Sequence, residues 1–192
     1  MSRIVIMGPP GVGKGTQASR LAAELGVAHI TTGQMLRDEI DRGTHLGRNL
    51  AHTVSAGEYV SDAITAELLR ARLAARDALD GFVLDGYPRT AAQVAALDAM
   101  LERRGQSVDV VLLLEADERI LLSRVAGRAA DGRADDRPEV AQHRLALYRT
   151  TTAPIVAAYD DRGLVRRIDA ARSRDAVAAD IADLISAPAG LL

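Results

Sequence analysis

Four apolar residues that run straight into a glycine-rich loop set the strongest limit on what this chain can fold into. Ile4-Val5-Ile6-Met7 is followed at once by Gly8-Pro9-Pro10-Gly11-Val12-Gly13-Lys14-Gly15-Thr16. A short run that is apolar at every position reads as a strand covered on both faces, the situation of a parallel sheet. Beyond the loop, Ala18, Leu21, Ala22 and Leu25 recur at helical spacing from Lys14 to Leu25, and Gly26 is a C-terminal stop. A loop of this kind between a strand and a helix lets backbone N–H groups converge on phosphate oxygens, with the helix dipole adding to them. Composition sharpens the point: of the 24 basic residues 23 are arginine, and the single lysine is Lys14. A glycine turn that merely joins strand to helix explains the spacing but not that exception.

Further apolar runs at Phe82-Val83-Leu84, 108–114 and 164–168 read as strands, with helical stretches such as 91–103 between them. The alternation predicts an α/β fold around a parallel sheet. Two stretches interrupt it. From about Thr31 to Tyr59 the pattern is helical and reads as an insertion. Gly127 to Pro138, with Arg128, Asp131, Gly132, Arg133, Asp135, Asp136 and Arg137, is too charged and glycine-broken for core and reads as a surface loop. Glu139 to Tyr159 fits one long helix that Pro154 kinks or restarts, and 187–192 reads as a fraying end.

A chain of 192 residues, 48% of them apolar, can bury one good core. The net charge of −2 comes from interspersed side chains, which argues against nucleic acid or an anionic membrane surface as partner. No apolar run is long enough to span a bilayer, and the start is too short for a signal peptide, so a cytoplasmic protein acting on small molecules is expected. The absence of cysteine excludes disulfides and Cys-ligated zinc. His29, His45, His52 and His143 lack metal-site spacing and read as structural or surface groups.

Phe82-Val83-Leu84-Asp85-Gly86-Tyr87-Pro88-Arg89, with Gln93 after it, is the most specific segment. Asp85 at the end of a buried strand suits Mg²⁺ held through water, against the alternative of a satisfied turn aspartate. The Arg89 fork suits a phosphate, and the Gln93 amide carries the paired donor and acceptor that an adenine edge needs. Together with the phosphate loop, Thr16-Gln17-Ala18 and Thr31-Thr32-Gly33-Gln34-Met35-Leu36-Arg37, this segment makes the chain resemble the adenylate kinase family of nucleoside monophosphate kinases over nearly its whole length.

That resemblance implies a three-layer P-loop NTPase fold with a central parallel five-stranded sheet. It divides the chain into a core (1–30, 61–126 and 139–192), a helical monophosphate-binding insertion (31–60) and a short lid (127–138). It implies reversible Mg²⁺-dependent transfer, ATP + AMP = 2 ADP, by a monomer without zinc. Gly11, Val12, Gly13, Lys14, Gly15 and Thr16 would take ATP, with Arg124, Arg128 and Arg172. Thr32, Arg37, Glu58, Tyr59, Val60, Gly86, Tyr87, Pro88, Arg89 and Gln93 would take AMP, with Arg133 and Arg144. Lys14, Arg89, Arg124, Arg133 and Arg144 would act on the transferred group; Asp85 and Thr16 would face the metal.

Each assignment has a plainer reading beside it. Thr32 equally fits an N-cap, Arg172 a surface position, and any one arginine a solvated helix face. Gly15 between Lys14 and Thr16 departs from the general phosphate-loop motif and is part of the family resemblance, whereas Gln34 in place of an acidic residue, and Tyr59 and Ser61 in place of Leu and Pro, depart from the family pattern. Two rivals follow: a pyrimidine monophosphate kinase, against which Thr32 and Gln93 speak, and a binding module that has lost transfer. The absence of a dedicated general base fits an acceptor whose oxygen is already anionic.

Overall fold

The computed structural model describes residues 2–129 and 137–186. Five strands, β1 (Arg3–Met7), β2 (Ala28–Thr31), β3 (Phe82–Asp85), β4 (Val110–Glu115) and β5 (Val165–Asp169), form one parallel sheet in the order β2-β3-β1-β4-β5. The apolar runs marked four of these. β2, Ala28-His29-Ile30-Thr31, lacks the signature because the polar His29 and Thr31 alternate with the buried Ala28 and Ile30.

Strand pleat assigns each inner residue to one of two packed layers. Val5, Met7, Phe82, Leu84, Val111 and Leu113 face a layer built from α4 (Asp62–Leu73), α5 (Ala91–Glu102) and α8 (Val156–Asp160). Ile4, Ile6, Val83, Leu112 and Leu114 face the opposite layer, made by α1 (Lys14–Leu25), α6 (Glu118–Ala129), α7 (Pro138–Leu147) and α9 (Arg174–Ser186). The central strands are therefore apolar throughout, and the three-layer α/β fold expected from the sequence is the fold observed. α1 spans the predicted residues, and Gly26 ends it with a left-handed φ of 65°.

The expected helical insertion contains α2 (Thr32–Asp41) and α3 (His45–Ser55), packed so closely that a Cβ on Gly47 would lie 1.9 Å from the Glu39 carbonyl oxygen. The helical run from Glu139 to Tyr159 is broken around Pro154, where a kink or restart was expected. α7 ends at Leu147, Tyr148–Thr152 makes a π-helical turn, Ala153–Ile155 a 3-10 turn, and α8 follows. Pro154 lacks the N–H that a continuous helix requires, and the wider turn before it absorbs the mismatch.

The sheet register aligns Thr31, Asp85 and Ile6 across β2, β3 and β1, with Leu112 of β4 opposite Ile6. β1 is flanked by strands that lead away in opposite directions, so the carboxyl edge beside it is the crevice where parallel α/β sheets receive ligands. Among the described residues, no helix is long and apolar enough to cross a membrane.

Candidate active site

A cleft of about 730 Å³ opens at that carboxyl edge. One wall is the phosphate loop. Its glycines adopt positive φ at Gly8, Gly11 and Gly13, and at Gly8 a side chain is excluded outright, since a Cβ would lie 2.4 Å from the Leu114 carbonyl oxygen. The Lys14 ammonium donates to the carbonyls of Gly8 and Pro9 at 2.8 and 2.9 Å, so the loop closes around its own lysine at the N-terminus of α1. Gly11, Gly13, Gly15 and Thr16 line the cleft, whereas the Val12 side chain is buried in the core and only its backbone belongs to the loop.

Asp85 stands beside this wall at the end of β3. It is 7% exposed, and its Oδ1 has no hydrogen-bond partner among the described residues. A Cβ on Gly15 would lie 3.4 Å from Asp85 Oδ2, and Thr16 is exposed in the same cleft. A single buried carboxylate with an open oxygen fits a hard cation that keeps most of its waters. No group of three or more His, Asp or Glu side chains able to hold a metal occurs among the described residues.

The facing wall is assembled from distant segments. Gly86 has φ 83° and its carbonyl accepts from the Thr32 hydroxyl at 2.8 Å and from Arg89 Nε at 2.8 Å; a Cβ there would meet Thr32 Oγ1 at 2.9 Å. Thr32 is thus the first residue of α2 and not its cap. The Tyr87-Pro88 peptide is cis. Gln93 is 2% exposed; its Oε1 accepts from the Arg89 N–H at 2.8 Å and its Nε2 donates to Asp62 at 2.7 Å. Arg37 donates to Gln34 Oε1 through Nε and Nη2, and Gln34 in turn donates to Asp38, so the amide does the bridging where an acidic residue was expected.

Arg37, Tyr59, Gly86, Arg89 and Arg144 line both the cleft and a side hollow of about 60 Å³, whose other walls include Thr32, Gly57, Glu58, Val60 and Gln93. Glu58 is exposed and pairs with His143 Nε2 at 2.8 Å.

Some of the expected residues stand elsewhere. Arg124 is turned onto four backbone carbonyls, those of Val12, Ala170, Ala171 and Arg172, the shortest bond being 2.7 Å to Ala170, and is not among the residues lining the cleft. Arg172 pairs with Asp180 at 2.5 Å on the surface. Arg133 and Gly132 lie outside the described residues, as do Asp135, Asp136, residues 187–192 and the side chain of Arg128.

Other residues at the site carried no sequence signal. Asp62 fixes the Gln93 amide and the Thr90 cap of α5, and only its place in the first turn of α4, after Ser61, could have drawn attention to it. Thr152 and Tyr148 reach the cleft from the π turn. His29 lines the cleft with its ring 2.9 Å from Thr31 Oγ1; burial lowers its pKa, and Asp85 opposes that shift.

A phosphate loop, a buried carboxylate and a cluster of arginines around one cleft on a parallel sheet define a phosphotransferase, of the nucleoside monophosphate kinase class. The adenylate kinase family model matches residues 6–164. An adenylate kinase of Kocuria rhizophila is 51% identical over 178 residues, covering 92% of this chain and 95% of that one. One from Stenotrophomonas maltophilia is 47% identical over 186 residues, 96% of this chain and 100% of its own length, and one from Xylella fastidiosa 44% over 181 residues. The chain belongs to the adenylate kinase family.

Proposed function

We propose that this cleft carries out the family's reaction, ATP + AMP = 2 ADP, with the phosphate loop holding the donor and the Thr32–Gly86–Arg89 wall holding the acceptor. The observation that carries the assignment is the convergence of Lys14, Asp85, Arg37, Arg89 and Arg144 on one cleft. Kinases of this family typically use Mg-ATP. Asp85, through water, and Thr16 are the residues that would hold the ion, which when bound offsets charge on the ATP phosphates.

Lys14 and the N–H groups at the start of α1 meet the donor phosphates and the charge that spreads over the transferred group. Arg89, Arg144 and Arg133 are assigned to that group and to the AMP phosphate, Arg128 to ATP, and Arg37 to the AMP phosphate. The acceptor oxygen is already anionic, so no side chain has to remove a proton, and positioning with electrostatic stabilisation supplies the catalysis. Val60, Gln93 and the backbone at Glu58 and Tyr59 receive the base. Arg124 and Arg172 are assigned to ATP by the family resemblance alone, their side chains resting here on backbone carbonyls and on Asp180. A monomer acting in the cytoplasm completes this reading.

A coupled assay of ADP formation with ATP, Mg²⁺ and each of AMP, CMP and UMP, run beside Arg89→Ala, tests it. The expected result is turnover with AMP alone, reduced about 100-fold or more in the variant. Preference for CMP or UMP would overturn the role given to Thr32 and Gln93. No turnover with any acceptor would favour the binding module.

A further inference from the structure

Tyr59, one of the chain's departures from the family pattern, touches Arg89 by two routes. It belongs to the segment between α3 and α4, is half-buried, and lines both the cleft and the side hollow. By the first route, the Arg89 guanidinium carbon lies 4.8 Å from the centre of the Tyr59 ring, within the range where the ring's negative face attracts a cation. By the second, the Tyr59 hydroxyl is 2.8 Å from Thr152 Oγ1, and Thr152 donates its hydroxyl to the Arg89 carbonyl oxygen at 3.1 Å.

Direction follows from the count of protons. Thr152 has one hydroxyl hydrogen and gives it to Arg89, so Tyr59 must be the donor to Thr152. The relay Tyr59 O–H to Thr152 O–H to Arg89 C=O runs through a residue only 5% exposed, where water does not compete. Thr152 itself reaches this point because the π turn replaces a regular helix there. The Arg89 N–H is held by Gln93 and its Nε by the Gly86 carbonyl, and to these Tyr59 and Thr152 add a ring face against the guanidinium and a donor to the residue's carbonyl.

We infer that Tyr59 is a positioning residue for the acceptor phosphate: its ring and its hydroxyl together preset Arg89, so that less orientational freedom is lost when AMP binds. The inference rests on the assignment of Arg89 to AMP. Its signature is a change in AMP affinity that passes through Arg89 and leaves ATP untouched.

The test varies AMP at saturating ATP and ATP at saturating AMP, and measures AMP binding by calorimetry without turnover. Tyr59→Leu removes both routes and is expected to raise the AMP KM and Kd about tenfold. Tyr59→Phe keeps the ring and is expected to raise them about threefold. Thr152→Val should match Tyr59→Phe, and Thr152→Ser, which keeps the hydroxyl, should restore wild-type values. In an Arg89→Ala background Tyr59→Leu should add less than about twofold, because residues acting through one another are not additive.

If Arg89→Ala leaves AMP binding unchanged, the acceptor-side assignment itself falls and takes this inference with it. If Arg89→Ala weakens AMP binding but Tyr59→Leu does not, or if the Tyr59 effect is equal in both backgrounds, only the inference is overturned. Equal rises in ATP and AMP KM together with a lowered Tm would assign Tyr59 a structural role and overturn it as well. Should Tyr59→Leu fail to fold, Tyr59→Phe and the Thr152 pair decide the question by the same criteria.

Discussion

The two walls of the cleft are built by opposite means. The phosphate-loop wall is local: Lys14 closes on Gly8 and Pro9, six and five residues away, and the helix whose N–H groups it presents begins at Lys14. The acceptor wall is sewn from remote pieces. Thr32 meets Gly86 across 54 positions, Gln93 meets Asp62 across 31, Thr152 meets Arg89 across 63, and Tyr59 meets Thr152 across 93. A wall of the first kind is fixed as soon as its strand and helix form. A wall of the second kind depends on the packing of several elements and is open to tuning from residues that never touch substrate.

The sharpest way to break the contrast is at its local end. Lys14→Met should lower kcat by about 10³ with AMP as acceptor, because Lys14 is the only charged residue of the phosphate loop between Gly8 and Thr16. Retained activity within about tenfold in the coupled ADP assay would remove the lysine from the donor site. Gly8→Ala attacks the same wall through the backbone. With φ at 141° and the Leu114 carbonyl 2.4 Å from the new Cβ, urea denaturation should show a loss of about 3 kcal/mol. Gly26→Ala, with φ at 65° and nothing near its Cβ, should lose only about 1 kcal/mol. Equal losses would mean that φ alone, and not the close approach of β4, constrains the loop.

The remote wall should respond at a distance. Asp62 holds both Gln93 and Thr90, and Asp62→Ala should lower kcat/KM for AMP about tenfold while leaving the ATP KM unchanged. An equal effect on ATP would show that the two walls are not separable. The smallest effect concerns pH. Burial raises the Tyr87 phenol to about 12, with a smaller push from Asp62. The folded protein therefore keeps this proton above pH 10, where the unfolded chain loses it. The stabilisation is complete below about pH 10 and lost as pH rises toward 12, at about 1 kcal/mol per pH unit. Urea midpoints at pH 10 and 11 should fall less in Tyr87→Phe than in the parent; parallel falls would assign the alkaline slope to other groups.

The acceptor wall also shows where sequence reading stops. Arg89 and Gln93 stand out because they sit in one short segment with Asp85, and the residues that hold them do not. Asp62 looks like any acidic residue in a first helical turn. Thr152 looks like one of three consecutive threonines until Pro154 forces the π turn that aims it at the cleft. β2 escapes notice because four residues in which His29 and Thr31 alternate with Ala28 and Ile30 make no apolar run. Arg124 and Arg172 illustrate the reverse: the family resemblance assigned them to ATP, and in this structure their side chains rest on protein carbonyls and on Asp180.

By itself the sequence determined the parallel α/β class, the strand-loop-helix unit and the family, because each depends on residues that are neighbours along the chain. Backbone conformation and hydrophobic period are local physics and survive in one dimension. Only the tertiary structure decided that Gln93 is locked by Asp62 and that Tyr59 reaches Arg89 both directly and through Thr152. Those contacts join positions whose separation in sequence carries no signal, and they exist because the sheet order brings the ends of β2, β3 and β1 together and the packed layers bring α4, α5 and the π turn to the same edge.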